Sequence, residues 1–134
     1  MHHVALSVTD MDKSIEFYNI LGFNVVQRFH IDKFCADVAM LQLDSFKLEL
    51  FAFKESKPLP SYRTDLKNDL EVIGTKHFAL TVNDLEASIN FLTESGINVD
   101  MEPILGASGF RYIFIKDPNG IFVEVIEAGF RKEA

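Results

Sequence analysis

An α+β domain of two tandem βαβββ modules is what this sequence predicts. Three features predict it: an internal repeat, a switch from strand to helix periodicity made once in each half, and turn signals between the strands that follow. The segment His77-Phe-Ala-Leu-Thr-Val-Asn-Asp repeats His3-Val-Ala-Leu-Ser-Val-Thr-Asp at an offset of 74. Identities at Ala5/Ala79, Leu6/Leu80, Val8/Val82, Asp10/Asp84, Ser14/Ser88, Ile15/Ile89 and Phe17/Phe91 carry the match on to Gly22 and Gly96. Towards the end of each half, Leu48-Glu49-Leu50 lines up with Val123-Glu124-Val125 at an offset of 75. Each half therefore supplies one histidine and one glutamate.

Val4, Leu6 and Val8 alternate with His3, Ala5 and Ser7, which reads as a strand with a large apolar face and a small or polar one. Asp10 stands where an N-cap belongs, and Met11, Ile15, Tyr18 and Leu21 follow at helical spacing until Gly22 ends the helix. Phe23 to Ile31, Ala36 to Leu43 and Phe46 to Phe53 read as strands, with Asp44-Ser45 as a tight turn. The second half repeats the plan. A strand spans His77 to Val82, an N-cap falls at Asn83 or Asp84, and a helix carries Leu85, Ile89 and Leu92 to a stop at Gly96. Strands are expected near Ile97 to Met101, Phe110 to Lys116 and Ile121 to Ile126, with Asp117-Pro118-Asn119-Gly120 as the turn between the last two. This divides the chain into a first module at 1–53, a linker at 54–75, a second module at 76–128 and a frayed tail at 129–134. Within the linker, Lys57 to Ser61 is proline-rich and Thr64 to Ile73 reads as a short helix.

Composition bounds the function. The 134 residues are 48% apolar and 25% charged, ordinary for one globular domain with a core. A net charge of -7, with no Lys/Arg cluster, argues against a nucleic-acid or anionic-membrane partner, either of which calls for a basic face. No apolar run approaches the roughly 20 residues that cross a bilayer, and no targeting segment is evident, so a cytoplasmic protein is expected. The single cysteine, Cys35, forbids an internal disulfide and reads as a buried small hydrophobe. Thirteen phenylalanines without tryptophan supply a core, and Phe51, Phe53, Phe110 and Phe122 are the ones available to line a cavity.

The period-2 rule then sorts the polar residues. Leu48 and Leu50 belong on a helix-covered face, which leaves Glu49 on the opposite face with Lys47 and Phe51. Val123 and Val125 likewise leave Phe122, Glu124 and Ile126 on the other side, with His3 and His77. A helix on one face of each sheet leaves the second face needing cover, and two modules paired through those faces make a shared cup. His3, Glu49, His77 and Glu124 are therefore the candidate donors. Two imidazoles and two carboxylates suit a divalent ion such as Zn, Ni, Co, Fe or Mn, with positions left for water or substrate oxygens. The competing reading is an ion pair from Lys47 or Arg111 to a glutamate, since a buried carboxylate needs some partner. His2 has no counterpart in the repeat, and neither His2 nor His30 is assigned a role.

The pattern resembles the vicinal oxygen chelate superfamily of glyoxalase, bleomycin-resistance and extradiol-dioxygenase proteins over nearly the whole chain. The matching motifs are His3-Val-Ala-Leu, Leu48-Glu49-Leu50, His77-Phe-Ala-Leu, and Glu124 after the Asp117-Pro118-Asn119-Gly120 turn. Within that family Glu49 favours the branch of lactoylglutathione lyase, because methylmalonyl-CoA epimerase relatives commonly carry glutamine there. The resemblance implies a metal-dependent lyase or isomerase working through a metal-stabilised enediolate. Glu124 is then both ligand and base, Glu49 assists it, and Zn, Ni or Co is the favoured ion. It implies a small-molecule substrate, such as a thiol adduct of a 2-oxoaldehyde, for whose carboxylates Arg28, Arg63, Arg111 and Lys47 are available. It also implies a homodimer. The alternatives are another metal enzyme on this scaffold, namely an acyl-CoA epimerase, thiol transferase or dioxygenase, and a metal-free protein that binds a drug or metabolite.

Overall fold

The computed structural model describes residues 1–129, so the expected tail at 129–134 lies outside them from Phe130 onward. The chain divides into two compact units, Met1–Pro60 and a second that begins at Ser61. The first contains β1 (Val4–Ser7), α1 (Met11–Ile20), β2 (Asn24–Ile31), a 3-10 turn at Asp32–Phe34, β3 (Ala36–Leu43) and β4 (Phe46–Phe53). The second contains a 3-10 turn at Ser61–Arg63, α2 (Leu66–Glu71), β5 (Phe78–Val82), α3 (Leu85–Glu94), β6 (Ile104–Leu105), β7 (Arg111–Lys116) and β8 (Phe122–Glu127). Each unit builds one four-stranded mixed sheet, in the orders β1-β4-β3-β2 and β5-β8-β7-β6. The outer strands β1 and β5 run parallel to β4 and β8, and the remaining neighbours are antiparallel. This is the α+β class that the repeat predicts.

Helix ends are specified alike in both units. Asp10 Oδ1 accepts the Lys13 N–H at 3.0 Å and Asp84 Oδ1 accepts that of Ala87 at 2.9 Å, each satisfying a donor the helix leaves free, worth about 1 kcal/mol. At the other end Gly22 (φ +103°) and Gly96 (φ +86°) take the left-handed conformation. The Phe23 and Ile97 N–H groups then reach back to the Tyr18 and Leu92 carbonyls at 3.0 and 2.9 Å, closing two Schellman motifs. The buried face of α1 is Met11, Ser14, Phe17 and Tyr18, and the first sheet buries Leu41, Leu48 and Leu50. In the second unit Leu85 and Leu92 of α3 are buried, as are Ile113, Ile115, Val123 and Val125.

Two expectations are corrected. No strand forms at Ile97 to Met101; Asn98 Nδ2 bonds Asp100 Oδ1 at 2.6 Å, Pro103 follows, and regular pairing is confined to Ile104 and Leu105 against Tyr112 and Arg111. Met101 Sδ accepts the Phe114 N–H at 3.1 Å, so a side chain supplies an acceptor that a strand's backbone was expected to provide. Cys35 is exposed rather than buried. It closes the 3-10 turn between β2 and β3 in the left-handed region (φ 49°), a conformation that sequence patterning does not reveal. The short helix expected between Thr64 and Ile73 is α2. Among the described residues no helix is long and apolar enough to cross a membrane.

Candidate metal centre

Parallel pairing of the first and last strands sets the two donors of each unit side by side. Ala5 stands opposite Glu49 in the first sheet, and Ala79 stands opposite Glu124 in the second. His3 and His77 each precede that alanine by two residues, which turns them towards the same face. An alanine has nothing beyond Cβ, so the imidazole has room to lean across to the carboxylate. His3 Nε2 lies 3.4 Å from Glu49 Oε1, and His77 Nε2 lies 3.2 Å from Glu124 Oε2. The same ring nitrogen meets the same carboxyl group in both units.

Both glutamates are largely shielded, each with 18% of its side chain exposed, while His77 is 20% and His3 34% exposed. That is too much burial for an unpartnered carboxylate and enough access for a ligand. Their surroundings are apolar: Met40 pairs with Glu49 across β3 and β4, and Phe114 pairs with Glu124 across β7 and β8. Phe114 also meets the His77 ring edge to face, 4.8 Å between centroids. His77 Nδ1 is buried without a partner, a condition that costs about 1–3 kcal/mol.

The competing cations are accounted for. Arg111 bonds both Glu86 and Glu127, at 3.1 Å to Glu127 Oε2. Its pKa is raised above the usual arginine value, first by the hydrogen bond to Glu86 and then by the charges of Glu86 and Glu127, against the opposing effect of desolvation. Glu127, buried in β8, also accepts the Leu85 N–H at 3.1 Å. Sequence reasoning missed this cluster, although Glu127 continues the buried parity of Val123 and Val125. It also missed buried Asp69, whose Oδ1 accepts from Arg63 Nε at 2.7 Å with Lys76 Nζ at 3.6 Å. Among the described residues Lys47 makes no ion pair with Glu49. Of the aromatic residues proposed to line a cavity, Phe122 is buried, Phe51 and Phe110 are half-buried and Phe53 is exposed. His30, on β2, is spent on Asp37 at 2.8 Å.

The donor spacing fits a divalent ion. With metal–ligand distances of about 2.1 Å, two ligands at an octahedral right angle lie about 3.0 Å apart and two at a tetrahedral angle about 3.4 Å apart. Separations of 3.2 and 3.4 Å fall within that span. In either unit the donors stop at two, and among the described residues no group of three or more histidine, cysteine or acidic side chains is placed to hold an ion. Each unit thus presents a two-donor set.

Residues 1–125 match the Glyoxalase/Bleomycin resistance protein/Dioxygenase superfamily. A Bacillus subtilis (strain 168) protein, YwkD, is 32% identical over 129 residues, covering 95% of each chain. The mitochondrial methylmalonyl-CoA epimerase of Homo sapiens is 29% identical over 133 residues, which span 96% of this chain and 73% of that protein. The crystal structure of a glyoxalase family protein from Enterococcus faecalis superposes with a TM-score of 0.82 at 30% identity, covering 95% of this chain and 96% of that one.

Proposed function

On the premise that the chain belongs to the glyoxalase/bleomycin resistance protein/dioxygenase superfamily, we propose that it is a divalent-metal-dependent lyase or isomerase of the glyoxalase type, moving a proton between carbons beside a carbonyl. The observation that carries this reading is the duplicated histidine–glutamate pair, with a ring Nε2 within 3.4 Å of a carboxylate oxygen in each unit. His3, Glu49, His77 and Glu124 are the proposed ligands, and the borderline character of the set suits Zn, Ni or Co, with Fe or Mn as further choices. When bound, such an ion is a Lewis acid that polarises a substrate carbonyl and acidifies the neighbouring C–H.

The chain's own groups do the rest. Glu124 is the proposed base: its carboxylate takes the proton from one carbon and returns it to the next, with Glu49 as the second acid–base group. His77, 3.2 Å from the carboxylate, and Phe114, packed on the His77 ring and opposite Glu124 in the ladder, hold the Glu124 side of this arrangement in place. A small oxygenated substrate, such as a thiol adduct of a 2-oxoaldehyde, supplies that carbonyl. We extend the proposal to a symmetric homodimer in a reducing, cytoplasmic compartment, where the one thiol stays free.

Purified protein, stripped with chelator and reloaded with Ni, Co or Zn, is expected to form S-lactoylglutathione from methylglyoxal and glutathione. Absence of that product from metal-loaded protein overturns the glyoxalase assignment. The resemblance to human methylmalonyl-CoA epimerase over 96% of this chain favours a second reading, acyl-CoA epimerisation by the same proton transfer. Metal-dependent exchange of solvent deuterium into an acyl-CoA, without net turnover, selects it.

A further inference from the structure

We infer that the first unit binds a small organic carboxylate at the start of α1, on the face of its sheet away from Glu49. The second unit displays the corresponding place filled by one of its own side chains. There the Glu127 carboxylate accepts the Leu85 N–H, the first of α3, at 3.1 Å and is met by Arg111 Nη1 at 3.1 Å, while Arg111 also bonds Glu86 in the first turn of the helix. One guanidinium serves two carboxylates beside the donors that a helix start leaves free.

The repeat carries this arrangement onto the first unit. An offset of 74 pairs Leu85 with Met11 and Glu86 with Asp12, and the offset of 75 pairs Glu127 with Ala52. Met40 faces Glu49 as Phe114 faces Glu124, so Arg111 corresponds to Asp37. The helix start and its first-turn acid are kept, but the buried carboxylate and its arginine are not. Ala52 has no acceptor to offer the Met11 N–H, and the guanidinium comes instead from Arg28 on β2, whose Nη1 donates to Asp12 Oδ1 at 3.1 Å. A cavity of about 510 Å³ lies here, bordered by Met11, Arg28, Ala52 and Lys54. Arg28 pairs with Ala39, which pairs with Leu50, and Asp37 pairs with Ala52, so strand parity sets the cavity on the Leu50 face, apart from Glu49.

The groups around it select an anion. Each acid at the rim is already met: Asp10 Oδ1 caps the Lys13 N–H at 3.0 Å, Asp12 holds Arg28, and Asp37 Oδ1 stands 2.8 Å from His30 Nδ1. What remains are donors, namely the Met11 N–H, the further N–H groups of Arg28, and the ammonium of Lys54, which makes no ion pair among the described residues. Met11 and Ala52 give a short carbon chain an apolar wall, which favours an organic carboxylate over a bare inorganic anion.

The test follows the Met11 backbone amide by 1H–15N spectroscopy of metal-free protein titrated with sodium butyrate, with sodium chloride and butyramide as controls. Butyrate should shift that amide saturably, and neither control should move it. Ala52→Glu rebuilds the arrangement of the second unit, so it should shift the same amide in the same direction without ligand and abolish the butyrate response. Lys54→Gln, an exposed change, should weaken butyrate binding about 10-fold, the loss of one charge-assisted hydrogen bond. A Met11 amide that butyrate does not move, one that butyramide moves as far, or undiminished binding in Lys54→Gln or in folded Ala52→Glu overturns the inference. So does inorganic phosphate shifting Met11 at lower concentration than butyrate. Should Ala52→Glu not fold, the wild-type and Lys54→Gln titrations still decide. Metal uptake enters none of these readouts, so the outcome is independent of the proposed metal centre.

Discussion

His77 presents Nε2 to Glu124 Oε2 at 3.2 Å while its Nδ1 is buried with no partner. A hydrogen-bonding side chain that sacrifices one nitrogen is held there by something other than its own preferences. Phe114, packed on the ring and paired across the ladder with Glu124, is the neighbour that holds it. The proposed roles then separate: Glu124 acts on the substrate, and His77 serves the ion.

Glu124→Gln keeps an oxygen for the ion but loses the basic carboxylate. Metal content is expected to stay near wild type while kcat falls about 10²–10⁴-fold, the usual contribution of general acid–base catalysis. His77→Ala should lower metal affinity by more than the about 10–100-fold that loss of an outer partner causes, and activity with it. Metal titration beside steady-state kinetics checks both, and equal mild effects from the two changes would sink the division of roles.

Metal binding to the folded chain should show as stability. An ion at 100 times its Kd adds about 2.7 kcal/mol, several degrees of Tm for a chain of this size. Calorimetry with and without chelator should show that gap in wild type and in Glu124→Gln, and a much smaller one in His77→Ala. A melting temperature indifferent to Zn, Ni and Co would count against the ligand set.

The two helix stops make a matched stability experiment. Alanine at either glycine must adopt a positive φ, costing about 1–2 kcal/mol. At Gly22 the new Cβ also meets Leu43 Cδ1 at 3.2 Å, whereas at Gly96 nothing lies within 4 Å. Urea denaturation should find Gly22→Ala the more damaging of the two; equal costs would show that Leu43 yields freely.

Arg111→Met should lower Tm without changing metal affinity, because it strips buried Glu127 of its charged partner and leaves the proposed donors untouched. Adding Glu127→Gln to Arg111→Met should recover part of the loss. A fall in metal affinity in Arg111→Met would tie Arg111 to the centre after all.

Much of this was readable from residue order, for reasons that differ by element. The helices were legible because capping is local: Asp10, Asp84, Gly22 and Gly96 act through neighbours a turn away. The glutamates were legible because a charge between Leu48 and Leu50, or between Val123 and Val125, has one face to go to. Ile97 to Met101 misled because its alternation matches a strand, while Asn98, Asp100 and Pro103 direct the backbone elsewhere. Glu127 and Asp69 were missed because their partners, Arg111, Arg63 and Lys76, are brought to them by the fold.

The αL turn that carries Cys35 has a practical sequel. It gives the molecule one solvent-facing sulfur as a unique attachment point for a maleimide dye or spin label, set in the unit that holds His3 and Glu49. The same sulfur lets two copies couple through air oxidation, so sedimentation or light-scattering measurements of self-association belong in reductant, where a covalent artefact cannot pass for a natural pair.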